Sequence, residues 1–430
     1  MINFLFTKTP LFFFTQSLWR DEAFSYFLAK QSFLNILYLS SKDFTPPLYE
    51  FLLKTWIYFF GSSEIALRSL SLIAYLILAY FFYLFLNNIF KIKTFWIYIY
   101  LLLFFCNPML HYYAFEARTY SFLALFSFMS FYFFIKKGWR GYFISTLLGL
   151  YSHYFMILIL LVQGVLILFI KVNKRKYFYE LCKPVFFFIP WIIYVLLNKN
   201  PFIEPFWLKE IPKNYKAYLP ITLYSGYDQS FLFVKDIASR LNSILIMFLL
   251  SGIFIRNKFS ENFFNIILSW ALIPSFVILI ISIYKPLFFP RYLILSTPAV
   301  ILLIVLILEK SNLAIKCISA VLIFFLTMNY ASLQIKYNRK ASYNKVINEI
   351  KSIANKKDLI YVDSELNYHI AKYYFYENRV YIFNKNYNEI PNFTGKVLIP
   401  KNSIATSLPK YPNKAFVLHN NLSYNIQSLR

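Results

Sequence analysis

Glycine is scarce in this chain, 8 of 430 residues. Loops that cradle phosphates rely on closely spaced glycines to bring backbone N–H groups against the anion. None is present, so no segment is assigned a nucleotide. The scarcity goes with an abundance of Phe, Tyr, Ile, Asn and Lys, the pattern of an AT-rich coding bias rather than of a function. Cysteine is rarer still. Cys106, Cys182 and Cys317 each lie in or beside an apolar run without paired spacing, which excludes a disulfide framework and a zinc motif. No cofactor is assigned: a divalent metal would need a ligand set that this sequence does not supply, and a lone His153 provides no metal-site spacing. Acidic residues are outnumbered, 19 against 44 Lys and Arg, for a net charge of +25. Such an excess can signal nucleic acid, but many of these cations lie in short loops between apolar runs, where they set membrane orientation instead. Nucleic acid is therefore not expected among the partners.

What is abundant is apolar surface. The chain is 59% hydrophobic and 22% aromatic, with only 15% charged residues, and the charges gather between apolar runs and in the last hundred residues. Runs long enough to cross a hydrocarbon core of ~30 Å recur along the chain, so it reads as a polytopic α-helical membrane protein surrounded by membrane lipids. A soluble protein of this composition would need helices apolar on every face. Candidate spans fall near 3–19, 65–87, 95–112, 119–135, 142–152, 154–170, 184–198, 236–255, 262–283, 292–309 and 313–332. The first has no small-residue cleavage site before Arg20 and reads as a retained, rather short span. Residues 142–170 fit either one over-long helix or a hairpin folded at Tyr151-Ser-His-Tyr154. The hairpin places Lys171, Lys174, Arg175 and Lys176 on the same side as the other basic loops, and it is preferred. About eleven spans result, with the N-terminus inside and the loops 20–64, 107–118, 199–235 and 284–291 outside. The expected location is a bacterial cytoplasmic (inner) membrane with an outward-facing site.

The expected division is a transmembrane domain over 1–335, with the first loop 20–64 as its catalytic part, and a small α/β extracytoplasmic domain over 336–430. In that tail, Ala341 to Ala354 reads as an amphipathic helix and Asp358 to Asp363 as a buried strand. A helix over Glu365 to Tyr376 follows, then strand-like runs at Arg379–Phe383, Lys396–Ile399 and Ala415–Leu418. The βαβ-like order suits a modest core acting as a lid or docking module.

Chemistry concentrates at the ends of spans. Asp21 and Glu22 follow the first apolar run and Asp43 sits in the same loop, so three carboxylates occupy one polar stretch. A carboxylate at a partly dehydrated membrane face titrates closer to neutrality and can take a proton from an acceptor hydroxyl. Equally, an acidic pair suits a helix N-terminus at Ala23–Leu28. Asp43 precedes Pro46-Pro47, whose fixed φ would hold it on a stiff turn, although a plain loop aspartate fits too. Glu116-Ala-Arg118 and Arg291-Tyr292 raise one question. Each arginine either grips an anionic lipid phosphate through parallel hydrogen bonds or anchors its helix by snorkelling.

Taken in order, Asp21-Glu-Ala-Phe-Ser25, Asp43-Phe-Thr-Pro-Pro-Leu-Tyr49, Phe60-Gly-Ser-Ser-Glu-Ile-Ala-Leu-Arg68, Glu116-Ala-Arg-Thr-Tyr120, Ser152-His-Tyr-Phe155 and Pro290-Arg-Tyr292 carry a resemblance. The chain resembles the bacterial relatives of dolichyl-phosphate-mannose protein mannosyltransferases and the lipid A aminoarabinose transferases, which share the GT-C type of membrane fold. The resemblance implies an inverting glycosyltransferase that moves a sugar from a polyprenyl-phosphate donor to a lipid, glycan or protein acceptor. It implies Asp21 as base with Glu22 beside it, Asp43 as the second loop acid, and donor contacts at Glu116, Arg118, His153, Arg291 and Tyr292. Members differ over metal dependence. The alternative is a transporter or flippase of a lipid-linked glycan, which should carry ionisable residues at mid-span and matching inverted repeats.

Overall fold

The computed structural model describes residues 2–43, 45–198, 214–255 and 263–430. Two short helices come first, α1 (Ile2–Lys8) and α2 (Phe12–Thr15). This corrects the expected continuous span over 3–19: the run breaks at Thr9-Pro10, where proline removes a helix donor. Three helices fill the first loop, α3 (Arg20–Ala29), α4 (Phe33–Asp43) and α5 (Leu48–Phe60), followed by α6 (Glu64–Asn88). Next come α7 (Thr94–Phe105) and α8 (Pro108–Ala114), bent by 64°. The bend has a local cause: Asn107 caps α8, its side chain accepting from Leu110 N at 3.0 Å, and Pro108 opens the new helix.

At Tyr151-Ser-His-Tyr154, where the loop charges favoured a hairpin, the helix is interrupted. α9 (Tyr120–Lys136) leads into α10 (Trp139–Ser152) and α11 (Met156–Phe169), with residues 153–155 turning between the last two. α12 (Lys174–Asn198) begins ten residues before the span expected at 184 and runs through Pro184 and Pro190. Packing extends it: Tyr177 is buried with Phe134, Tyr142 and Ile167, and Leu181 packs on that cluster. The remaining long elements are α14 (Lys235–Ile255), α15 (Phe263–Ser282), α16 (Thr297–Lys310) and α17 (Leu313–Tyr337), after the short α13 (Leu219–Ser225). Among the described residues, five helices are long and apolar enough to cross a membrane, or six with the bent pair taken as one. α9 and α11 are shorter apolar helices of 17 and 14 residues.

The tail carries α18 (Tyr343–Ile353) and α19 (Tyr368–Tyr374) with strands β1 (Leu359–Val362), β2 (Val380–Phe383), β3 (Ile404–Ala405), β4 (Ala415–Leu418) and β5 (Tyr424–Gln427). Sheet order is β3-β2-β1-β4-β5, parallel except for the antiparallel β4–β5 edge. Lys396–Leu398, expected as strand, is a 3-10 turn instead. It follows Gly395, whose φ of +80° redirects the chain.

The chain divides into two compact units. One comprises Met1–Phe13, Arg68–Ile193 and Leu208–Asn338, and the other Phe14–Leu67, Tyr194–Trp207 and Arg339–Arg430. The loop helices α3 to α5 thus share a unit with the tail. Tyr374 Oη accepts from Leu18 N at 2.7 Å and donates to Glu64 Oε1 at 2.9 Å. Phe24 and Phe27 lie 5.8 and 6.1 Å from the His369 ring. A Cβ on Gly395 would come within 2.6 Å of Phe24 Cδ2, so the backbone approach needs glycine.

His369 Nε2 donates to Gly395 O at 3.1 Å inside this contact. Burial, aided by the Lys372 charge, pushes its pKa down to about 4 against the opposing pull of the Gly395 carbonyl. The unfolded chain therefore takes up a proton below about 6.5 that the folded chain refuses. Stability is full above that value and lost as pH falls toward 4. Urea unfolding of wild type and His369→Gln should show the wild-type advantage shrinking by about 2 kcal/mol between pH 7 and 5. An unchanged difference would mean that His369 takes up its proton in the fold as readily as in the unfolded chain.

Candidate functional site

The acids of the first loop are sorted by how α3 begins. Glu22 turns its carboxylate back over the helix start, Oε2 accepting from Trp19 N at 3.1 Å. The same oxygen accepts from Lys340 Nζ at 2.8 Å. Glu22 has 0% of its surface exposed and the Lys340 side chain 10%. Adjacent residues on a helix point ~100° apart, so anchoring Glu22 turns Asp21 away from that contact. Asp21 is half-buried, with Arg20 Nε 3.3 Å from its Oδ1. Asp43 is the last residue of α4 and also half-buried. Of the three predicted acids, Glu22 is thus engaged in an internal ion pair, while Asp21 and Asp43 keep partly accessible carboxylates.

The other predicted residues all fall in the helical unit, in turns that the structure ties together. Ser71 Oγ of α6 donates to Arg118 O at 3.2 Å, and Thr119 Oγ1 donates to Ser152 O at 2.9 Å. The Glu116–Arg118 turn is thereby joined to the end of α10, one residue before His153. Glu116 is buried, 2% exposed. Arg291 follows Pro290 in a 3-10 turn and is also buried. Its guanidinium carbon lies 4.8 Å from the Phe289 ring centre, 5.6 Å from Tyr120 and 5.7 Å from Tyr292. Aromatic faces hold a cation by the ring quadrupole without neutralising it. His153 sits beside the same rings, 5.8 Å from Tyr120 and 6.2 Å from Tyr292.

His153 Nδ1 accepts from Phe155 N at 3.1 Å, which leaves the proton of the neutral ring on Nε2. Desolvation first, then the charges of Arg118 and Arg291, hold its pKa down at about 3. The ring is a neutral donor through the physiological range, unsuited to act as a proton-accepting switch there. Arg118, His153, Arg291 and Tyr292 therefore form one cationic, donor-rich cluster, chemistry suited to a phosphate.

Four residues not singled out from the sequence contribute. Lys340 pairs with Glu22 across 318 positions, and no periodicity or motif links them. Tyr120, Phe155 and Phe289 look like ordinary membrane aromatics in sequence, yet Phe155 packs at 4.8 Å on Tyr292 and the other two flank Arg291. Among the described residues, no three of His, Cys, Asp and Glu converge as metal ligands would.

Long apolar helices joined to a small mixed sheet define a polytopic membrane protein of the GT-C type of fold. Two solved structures share it. ArnT from Cupriavidus metallidurans in the apo state aligns at a TM-score of 0.58 and 13% identity, covering 87% of this chain and 82% of that one. The same protein bound to undecaprenyl phosphate aligns at 0.60 and 11% identity, covering 97% and 93%. No family model matches the sequence, and no curated protein matches it either. At these identities the likeness is one of fold.

The Glu22–Lys340 pair makes a checkable demand. Lys340→Met removes the cation paired with a fully buried carboxylate, which should cost about 3 kcal/mol or more in denaturant unfolding of the full chain. Adding Glu22→Gln should recover most of that loss. If the single variant is as stable as wild type, the pair is not holding the helix start.

Proposed function

We propose that this protein is an inverting glycosyltransferase of the GT-C type, transferring a sugar from a polyprenyl-phosphate carrier to an acceptor hydroxyl. The observation that carries the reading is the fold shared over 97% of the chain with an ArnT structure bound to undecaprenyl phosphate. The cluster of Arg118, His153 and Arg291 supports it chemically. In this reading about eleven spans, N-terminus inside, place the loops bearing these residues on the extracytoplasmic face of a bacterial inner membrane. The domain division at about 335 goes with it, the tail lying outside.

The reaction balances simply. The acceptor oxygen bonds to the anomeric carbon of the donor as the bond from that carbon to the phosphate oxygen breaks. The acceptor proton passes to the Asp21 carboxylate, and the electron pair leaves with polyprenyl phosphate. Because the leaving group departs as an anion, fixed cations stabilise it without a general acid. Arg118 and Arg291 take that role, with His153 Nε2–H as a neutral donor beside them. Asp43 provides negative charge toward the oxocarbenium-like sugar, and Tyr292 walls the donor position. Glu116 steadies the Arg118 turn. The carboxylate of Glu22 keeps Asp21 in place rather than reacting.

The test is label transfer in membranes from radiolabelled polyprenyl-phosphate sugars. Asp21→Asn should lower turnover at least about a hundredfold while leaving donor binding intact, because it removes proton acceptance and little volume. Wild-type rates in that variant would take Asp21 out of the mechanism. No transfer by folded wild type from any of several donors would instead favour movement of a lipid-linked glycan.

The cationic cluster makes a separate demand. Arg118→Lys and Arg291→Lys should each weaken binding of undecaprenyl phosphate about tenfold or more, since an ammonium cannot reproduce two parallel hydrogen bonds. Equal affinity for the lysine variants would mark both arginines as interfacial anchors.

A further inference from the structure

The unit that combines the first loop with the tail contains an open groove of about 440 Å³. Asn344, Asn348 and Lys351 of α18 form one wall, at i, i+4 and i+7, the spacing of a single helix face. This stripe lies one residue, ~100°, round from the buried Tyr343, Ile347 and Ile350, so the helix packs with one side and lines the groove with the next. Across from it stand Glu64 with Tyr26 and Tyr373. Those three are held in place. Tyr374 Oη donates to Glu64 Oε1 at 2.9 Å, and the Tyr26 and Tyr373 rings meet edge to face at 5.0 Å.

The chemistry of the walls selects a ligand. No aliphatic residue lines the groove, so a lipid tail or an apolar peptide has nothing to bury against. One ammonium faced by one carboxylate gives no net attraction for a phosphate. What remains is a fixed acceptor, two amides that both donate and accept, one cation, two serines and three tyrosines, of which Tyr374 is bonded to Glu64. Sugar hydroxyls need donors and acceptors in equal measure, and the C–H face of a pyranose stacks on an aromatic ring. The volume suits one or two sugar residues.

We propose that this groove binds an oligosaccharide, and that it holds the glycan part of the acceptor. The second clause rests on the transferase reading; the first does not. The full-length protein in detergent micelles is applied to an immobilised array of oligosaccharides containing neutral, amino and acidic sugars. Retention of at least one class by wild type is expected, with about a fivefold loss or more in Asn348→Ala and in Lys351→Ala. Both residues are exposed on α18, so folding is not at stake. No retention by wild type, or retention unchanged in both variants, overturns the proposal. Hydrolysis of a radiolabelled polyprenyl-phosphate sugar by wild type without acceptor is read separately. If oligosaccharide binding is lost in the variants but no donor is ever cleaved, the groove stands as a carbohydrate site and the acceptor assignment falls.

Discussion

A carboxylate that touches no solvent must be compensated, and in this protein the carboxylate is Glu22. Its two partners, the Trp19 amide and the Lys340 ammonium, come from opposite ends of the chain. Removing either ion would take away the charge that the other is buried against, a cost comparable to a large part of a domain's net stability. The start of α3 therefore depends on the tail being seated in the same unit, and the orientation of Asp21 depends on the start of α3. Neighbouring contacts follow the same logic: Gln16 accepts from Lys340 N at 2.6 Å, and Ser17 Oγ accepts from Asn344 N at 3.1 Å. Asp21 is thus oriented by the buried carboxylate beside it.

The helical unit solves a different problem. Arginine at the end of an apolar span must keep its charge in a setting with little water. Arg291 does so among three aromatic rings, and Arg118 from a turn pinned by Ser71 at its carbonyl. Burial first, and then these two charges, keep His153 neutral, so a third donor is added without a third charge. Glu116, buried beside the same turn, places a carboxylate near these cations, so the cluster carries both signs of charge. Aromatic walls reconcile the two demands, since they are compatible with lipid and attractive to cations.

Much of this architecture was legible from pattern alone. Apolar runs located most helices, although the single span expected over 95–112 hid the bend at Asn107-Pro108. The βαβ order of the tail was readable because β1 and β4 are short apolar runs bounded by polar turns. Errors fell where local signals compete with packing. Pro184 looked like a helix start, yet burial of Tyr177 carries α12 a further ten residues back. Lys396–Ile399 has strand-like residues, but Gly395 at positive φ precedes it and the segment closes into a 3-10 turn. The first run is apolar enough to span, and proline at position 10 divides it.

By itself the sequence determined that the protein is helical and lipid-embedded, that its polar chemistry sits at span ends, and that acids and arginines share those ends. Those are properties of composition and period, and they act over a few residues. The tertiary structure alone decided which acid of the pair is fully buried against a cation, because that turns on Lys340, 318 positions away. It also decided that His153 and Arg291 gather around the same rings, and that the polar stripe of α18 lines one groove with Glu64. Each is a contact between residues far apart in the chain. Such contacts are selected by which buried charges and backbone groups can be satisfied together, a condition that no local window of sequence expresses.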